Sequence, residues 1–175
     1  STLGPLSAGI PGIPAVLSYV NDTYGSKKLS TLLTPAYKAA INGFPVNERY
    51  LKGANYKKEW LKKYKETEAI FLDKGEVPKK GWILKQTDLA KTIKKIMKDG
   101  HKSFYTGSFA KKMVESIQNN GGIWTEEDLN SYQVIEREPI RSTYKDVSII
   151  APGLPSSGGL VLSNALNILA GYGLC

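Results

Sequence analysis

Ser156 and Ser157 are the residues of this chain whose setting most invites chemistry. They lie in the run Pro152-Gly153-Leu154-Pro155-Ser156-Ser157-Gly158-Gly159, and an apolar stretch from Leu160 to Leu169 follows at once. A Ser/Gly-rich loop opening a helix can present a nucleophile or cradle a phosphate on backbone N–H groups. The spacing meets neither requirement. A phosphate loop needs lysine directly after Gly158, where this chain has Gly159. A nucleophile elbow needs glycine two residues to either side of its serine. Ser156 has Leu154 and Gly158 at those positions, and Ser157 has Pro155 and Gly159. Two readings stay open: the glycines permit close helix–sheet approach, or the helix N-terminus binds an anion.

The other candidates are sparse. His101 is the sole histidine, which excludes every site that needs two. It follows Gly100 at a helix end, where positive charge is favoured, and a structural or surface role is expected. Glu126, Glu127 and Asp128 could act as general acids or bases, but Thr125 before them reads as the cap of a helix whose first turn favours carboxylates. Cys175 is the only cysteine, so neither an internal disulfide nor a cysteine metal cluster is possible. Ser1 is an N-terminal hydroxyl residue, a position that can be a nucleophile. Thr2-Leu3-Gly4-Pro5 does not continue as a strand to present it, and a processing boundary is the expected meaning. No catalytic residue, cofactor or metal ligand is assigned to any position.

The elements that would position such groups fall into two zones. Residues 15–130 read as a mainly helical lobe, and residues 131–175 as strands, the Pro-Ser-Ser-Gly-Gly turn and a closing helix. A first helix follows Pro14 and stops near Gly25. A stripe of Leu29, Leu32, Leu33, Ala36 and Ala40 predicts a second, restarted at Pro35 with Thr34 as cap and ended by Gly43. Tyr56, Trp60 and Tyr64 make an aromatic stripe that is expected to pack rather than to stack on bases. Thr87 to Asp99 is amphipathic, with Leu89, Ile93, Ile96 and Met97 inward and lysines outward. Phe109, Met113 and Ile117 line a further helix. Strands are expected at Gln133–Arg137, Ile140–Tyr144 and Val147–Ile150, before a helix with Leu162, Leu166 and Leu169 on its apolar stripe.

Composition narrows the class. The 175 residues, 41% apolar and 23% charged, suit one ordinary globular domain. No apolar run reaches the roughly 20 residues of a membrane span, and Pro5, Pro11 and Pro14 interrupt any signal-like start. Of the net charge of +8, residues 49–112 carry 18 of the 24 basic groups and 7 acidic ones, a local excess of +11. Arg49 is the only arginine there. Nucleic-acid recognition favours arginine, so a solvated lysine-rich face is the expected reading and no nucleic-acid partner is expected.

Taken in order, these segments resemble the large-subunit region of gamma-glutamyltransferases (gamma-glutamyltranspeptidases). Gly9-Ile10-Pro11-Gly12 is similar to the family's Val-Pro-Gly turn. Pro35-Ala36, Ala40 and Gly43-Phe44 are similar to its next helix and turn. Gln86-Thr87-Asp88-Leu89-Ala90-Lys91-Thr92-Ile93 resembles a helix start in which proline usually replaces Thr87. Gly100, Phe104-Tyr105 and Gly107, then Gly121-Gly122, Thr125, Asp128-Leu129 and Tyr132, resemble two further landmarks. Pro155-Ser156-Ser157-Gly158-Gly159 is the sixth, and together they cover nearly the whole chain.

The resemblance implies an α+β fold, a mostly helical lobe plus a few strands of an N-terminal nucleophile hydrolase αββα sandwich. It implies a self-cleaving precursor whose small subunit begins with a nucleophilic threonine. The gamma-glutamyl group of a glutathione-like or polyglutamate donor would pass to water or an acceptor amine. The Thr-Thr-His signature of that new N-terminus is not in these residues, and the family's active-site serine pair belongs to the small subunit, so neither role falls on Ser156 or Ser157. The expected partners are the remainder of the precursor and the gamma-glutamyl substrate. A secreted or periplasmic location is implied by the resemblance alone. The alternative from the residues is a basic helical module for an acidic polymer, or a non-catalytic scaffold relative.

Overall fold

Proline and glycine set the first boundaries. Helix α1, Ile13–Tyr24, has Pro14 in its first turn and ends where the Gly25 N–H donates to the Asn21 carbonyl at 2.8 Å. The computed structural model describes residues 4–172. These fall into two compact units, one ending at Val134 and the other beginning at Ile135.

Helix α2, Leu29–Asn42, runs unbroken through Pro35 and so corrects the expected restart. Pro35 removes only the hydrogen bond to residue 31. Thr34 is no cap: its hydroxyl donates to the Ser30 carbonyl at 2.9 Å inside the helix. Gly43 ends α2 at φ 81°, and a Cβ there would lie 2.7 Å from the Leu84 carbonyl oxygen. That close approach lets β1, Phe44–Pro45, pair antiparallel with β2, Ile83–Leu84.

Between those short strands lie α3, Glu48–Lys62, and α4, Lys65–Phe71. The Asn47 side chain caps α3 by accepting the Tyr50 N–H at 3.0 Å. The turn after α4 is clasped to α3 through Glu76, whose carboxylate meets Lys58 at 2.6 Å and Lys62 at 3.5 Å. The Lys58 hydrogen bond, helped by its charge, holds the Glu76 carboxyl below its ordinary pKa. The aromatic stripe does not pack as expected. Tyr56 is 81% exposed and Trp60 44%, with the Lys57 and Lys63 ammonium groups over their rings at 5.1 and 5.7 Å.

Helix α5, Thr87–Asp99, has the predicted bounds, is closed by Gly100 at φ 77°, and packs against α2. Short α6, Lys102–Tyr105, leads into α7, Gly107–Asn119, and α8, Glu126–Asn130. Leu129, fully buried, centres the core of this unit with Ala15, Tyr105, Ala110, Val114 and Trp124. Two buried polar tips tie the N-terminal segment to this core. The Tyr105 hydroxyl donates to the Pro11 carbonyl at 2.7 Å and accepts the Ala15 N–H at 3.1 Å. The Trp124 indole N–H donates to the Ala8 carbonyl at 3.0 Å.

In the second unit, β3, Ile140–Tyr144, and β4, Val147–Ala151, form an antiparallel hairpin in the register Ile140↔Ala151 to Tyr144↔Val147. Lys145, at φ 51°, makes the turn. Helix α9, Gly158–Ala170, returns over the face of Ile140, Ser142 and Ala151. The strand expected at 133–137 is absent. Residues 133–139 run outside any ladder, because an alternating pattern needs a neighbouring edge and no described strand supplies one. The α9 stripe holds only in part: small Gly159 and Ser163 face the hairpin and Leu166 is half-buried, while Leu162 and Leu169 are 46% and 40% exposed.

Candidate functional site

The Ser/Gly loop lies between β4 and α9. Leu154–Pro155 is a cis peptide, and the Ser156 N–H donates to the Gly153 carbonyl at 3.1 Å, closing the turn. Ser157 takes the N-cap position of α9 without a side-chain cap. Both serines are exposed, and neither hydroxyl has a hydrogen-bond partner among the described residues. Among the described residues no base is held against them.

The glycines explain the loop better. A Cβ on Gly159 would fall 2.7 Å from the Pro152 carbonyl oxygen and 2.8 Å from the Ala151 Cβ. One on Gly153 would fall 2.8 Å from the Glu138 carbonyl oxygen. Helix and hairpin touch backbone to backbone, and a hydrogen bond of 3.0 Å between the Ser142 and Ser163 hydroxyls secures the contact. Close approach, the first of the two readings left by the sequence, is the geometry found.

The remaining candidates stay apart as catalytic groups. The His101 imidazole, half-buried between α5 and α6, has no hydrogen bond among the described residues. Asp128 forms a capping box: its carboxylate accepts the Thr125 N–H and hydroxyl, both at 2.8 Å, and its own N–H donates to Thr125 Oγ1 at 3.1 Å. The Thr125 hydroxyl bond, more than its N–H bond, keeps the Asp128 carboxyl below the ordinary range. Glu126 and Glu127 are exposed. Among the described residues, no three His, Cys, Asp or Glu side chains group closely enough to hold a metal ion. Ser1 and Cys175 lie outside the described residues.

A feature the sequence reasoning missed is a groove of about 480 Å³ along α3, lined by Arg49, Gly53, Ala54, Lys57, Leu61 and Phe71. Its signal was the four-residue spacing of Arg49, Gly53, Lys57 and Leu61 on one helix ridge.

Among the described residues the loop is built for close packing, and the sequence candidates do not come together. Comparison with known proteins identifies the chain. The family model for gamma-glutamyltranspeptidase matches residues 1–174. The chain belongs to the gamma-glutamyltranspeptidase family. It is 38% identical over 168 residues to the glutathione hydrolase proenzyme of Escherichia coli, covering 95% of this chain and 29% of that protein. It is 34% identical over 154 residues to the capsule biosynthesis protein CapD proenzyme of Bacillus anthracis, covering 88% of this chain and 28% of that one. The crystal structure of Helicobacter pylori gamma-glutamyltranspeptidase superposes with a TM-score of 0.92 at 38% identity, over 96% of this chain and 48% of that chain. The chain thus spans about three-tenths of the curated relatives' length, and its α+β fold, mostly helical with a few strands, is one seen in gamma-glutamyltranspeptidases. No described helix is long and apolar enough to cross a membrane.

Proposed function

We propose that these residues form a structural part of the large subunit of a gamma-glutamyltranspeptidase-type enzyme, with a helical lobe at 15–130 and a strand–turn–helix piece at 131–175. The parent cleaves gamma-glutamyl amides, glutathione-like or polyglutamate, and transfers the glutamyl group to water or an acceptor amine. A threonine freed by precursor cleavage attacks the amide, and the small subunit that carries it is the partner of these residues. Residues 1–175 hold none of the catalytic groups and supply framework. The observation that carries this reading is the match to the Helicobacter pylori enzyme over 96% of the chain. The proenzyme names of the bacterial relatives support the cleavage step. Family membership does not favour a free-standing basic module for an acidic polymer as the account of the whole chain.

A protein containing these residues is expected to release the chromogenic amine from a gamma-glutamyl anilide, and the 175 residues alone are expected to release none. Turnover by the 175 residues that Ser1→Ala abolishes would overturn the framework reading.

A further inference from the structure

The groove along α3 supports an inference that goes beyond the acyl-transfer reading and does not depend on it. Arg49, Gly53, Lys57 and Leu61 follow one ridge of the helix. At Gly53 a Cβ would meet nothing within 4 Å, so the ridge is notched there. Buried Ala54 forms part of the floor and Phe71 of α4 a wall, and the lining is almost wholly apolar. The Tyr50 hydroxyl donates to the Phe71 carbonyl at 2.5 Å, which fixes that wall and leaves the hydroxyl engaged. Burial holds the Tyr50 hydroxyl above its ordinary pKa, so it stays a neutral donor.

The charges around this notch are unevenly used. Lys58 and Lys62 are met by Glu76, and Lys80 meets Glu48 at 3.0 Å. Arg49 and Lys57, at either end of the notch, have no carboxylate partner among the described residues. Lys57 rests over the exposed Tyr56 ring at 5.1 Å and keeps its charge at the rim. An apolar notch between two unpaired cations calls for an apolar group between two anions. Eight residues of helix separate the cations by about 12 Å along its axis. In an extended peptide, carboxylates four residues apart span about 13 Å, and the residue midway between them points to the same face.

We propose that this groove docks an acidic peptide segment of a partner protein in extended form, an apolar side chain seated over Gly53 and carboxylates on Arg49 and Lys57. The probe is a fluorescently labelled Glu-Ala-Leu-Ala-Glu peptide titrated with the full-length protein that contains these residues, with Gln-Ala-Leu-Ala-Gln as its uncharged counterpart. Saturable binding is expected, weaker by about tenfold for the uncharged peptide and for Arg49→Gln with Lys57→Gln. Gly53→Leu fills the notch without changing charge and suits a helix better than glycine, and it too is expected to weaken binding about tenfold at unchanged circular dichroism. Lys94→Gln with Lys98→Gln, on α5, is expected to leave binding unchanged. Absent binding, an equal loss in the α5 variant, or full affinity in Gly53→Leu would each overturn the proposal.

Discussion

Replacing Gly159 by leucine is expected to detach α9 from the β3–β4 hairpin. The new side chain would start where Cβ already lies 2.7 Å from a backbone oxygen and 2.8 Å from the Ala151 Cβ. Neither atom belongs to the end of a flexible side chain, so helix and hairpin must separate. Overpacking of this kind costs about 3 kcal/mol. Hydrogen exchange should read it as protection of the α9 amides falling by about a hundredfold. Gly158→Ala is the matched control, because the nearest heavy atom to its Cβ would be the Ser156 Oγ at 4.0 Å. That variant is expected to keep wild-type protection. Wild-type protection in Gly159→Leu would show that the contact does not hold α9.

Truncating Leu129 to alanine should destabilise the helical unit by about 3 kcal/mol. Leu129 is fully buried, and its neighbours are poorly free to collapse into the space left behind. The Tyr105 hydroxyl is held by two backbone groups and the Trp124 indole by a third. The ring of Tyr105 is also stacked on Tyr132 at 5.5 Å. Urea unfolding followed by tryptophan fluorescence measures the loss. A change below about 1 kcal/mol would mean that the cluster repacks and that Leu129 is not its centre.

The sequence made local features legible where the physics is local. Pro14 and Gly25 bound α1, the Thr125–Asp128 box starts α8, and the periodicity of α5 gives both of its ends. The β3–β4 hairpin follows from alternating residues around Lys145-Asp146. What failed depends on neighbours that a single segment does not reveal. The run at 133–137 alternates like a strand but joins no edge among the described residues. Pro35 reads as a break, yet α2 tolerates it because its packing against α5 outweighs one missing hydrogen bond. The pairing of Phe44 with Leu84 joins residues forty apart, beyond any local pattern. Tyr56 and Trp60 look like a buried stripe but serve as platforms for lysines.

The site was legible in a different way. The spacing around Ser156 and Ser157 meets neither the phosphate-loop nor the nucleophile-elbow pattern, and the close approaches at Gly153 and Gly159 account for their loop. In α9 the apolar stripe misled, since a helix rich in leucine from end to end does not announce which face is inner. The buried residues of its inner face are small ones, Gly159 and Ser163. The groove beside Gly53 was missed because a glycine within a lysine-rich helix reads as a weakness of the helix rather than as a notch.

The central claim is that this part of the family fold frames the chemistry and does not perform it. The most direct measurement is the rate of amine release from a gamma-glutamyl anilide by the full precursor carrying Ser156→Ala with Ser157→Ala. The rate is expected to stay within about twofold of wild type, because neither hydroxyl is held against a base among the described residues. Loss of a nucleophile lowers kcat by about ten-thousandfold or more, and loss of an oxyanion donor by about a hundredfold or more. A fall of either size, in a variant that still matures and folds, would contradict the account and place the serine–glycine loop inside the active site.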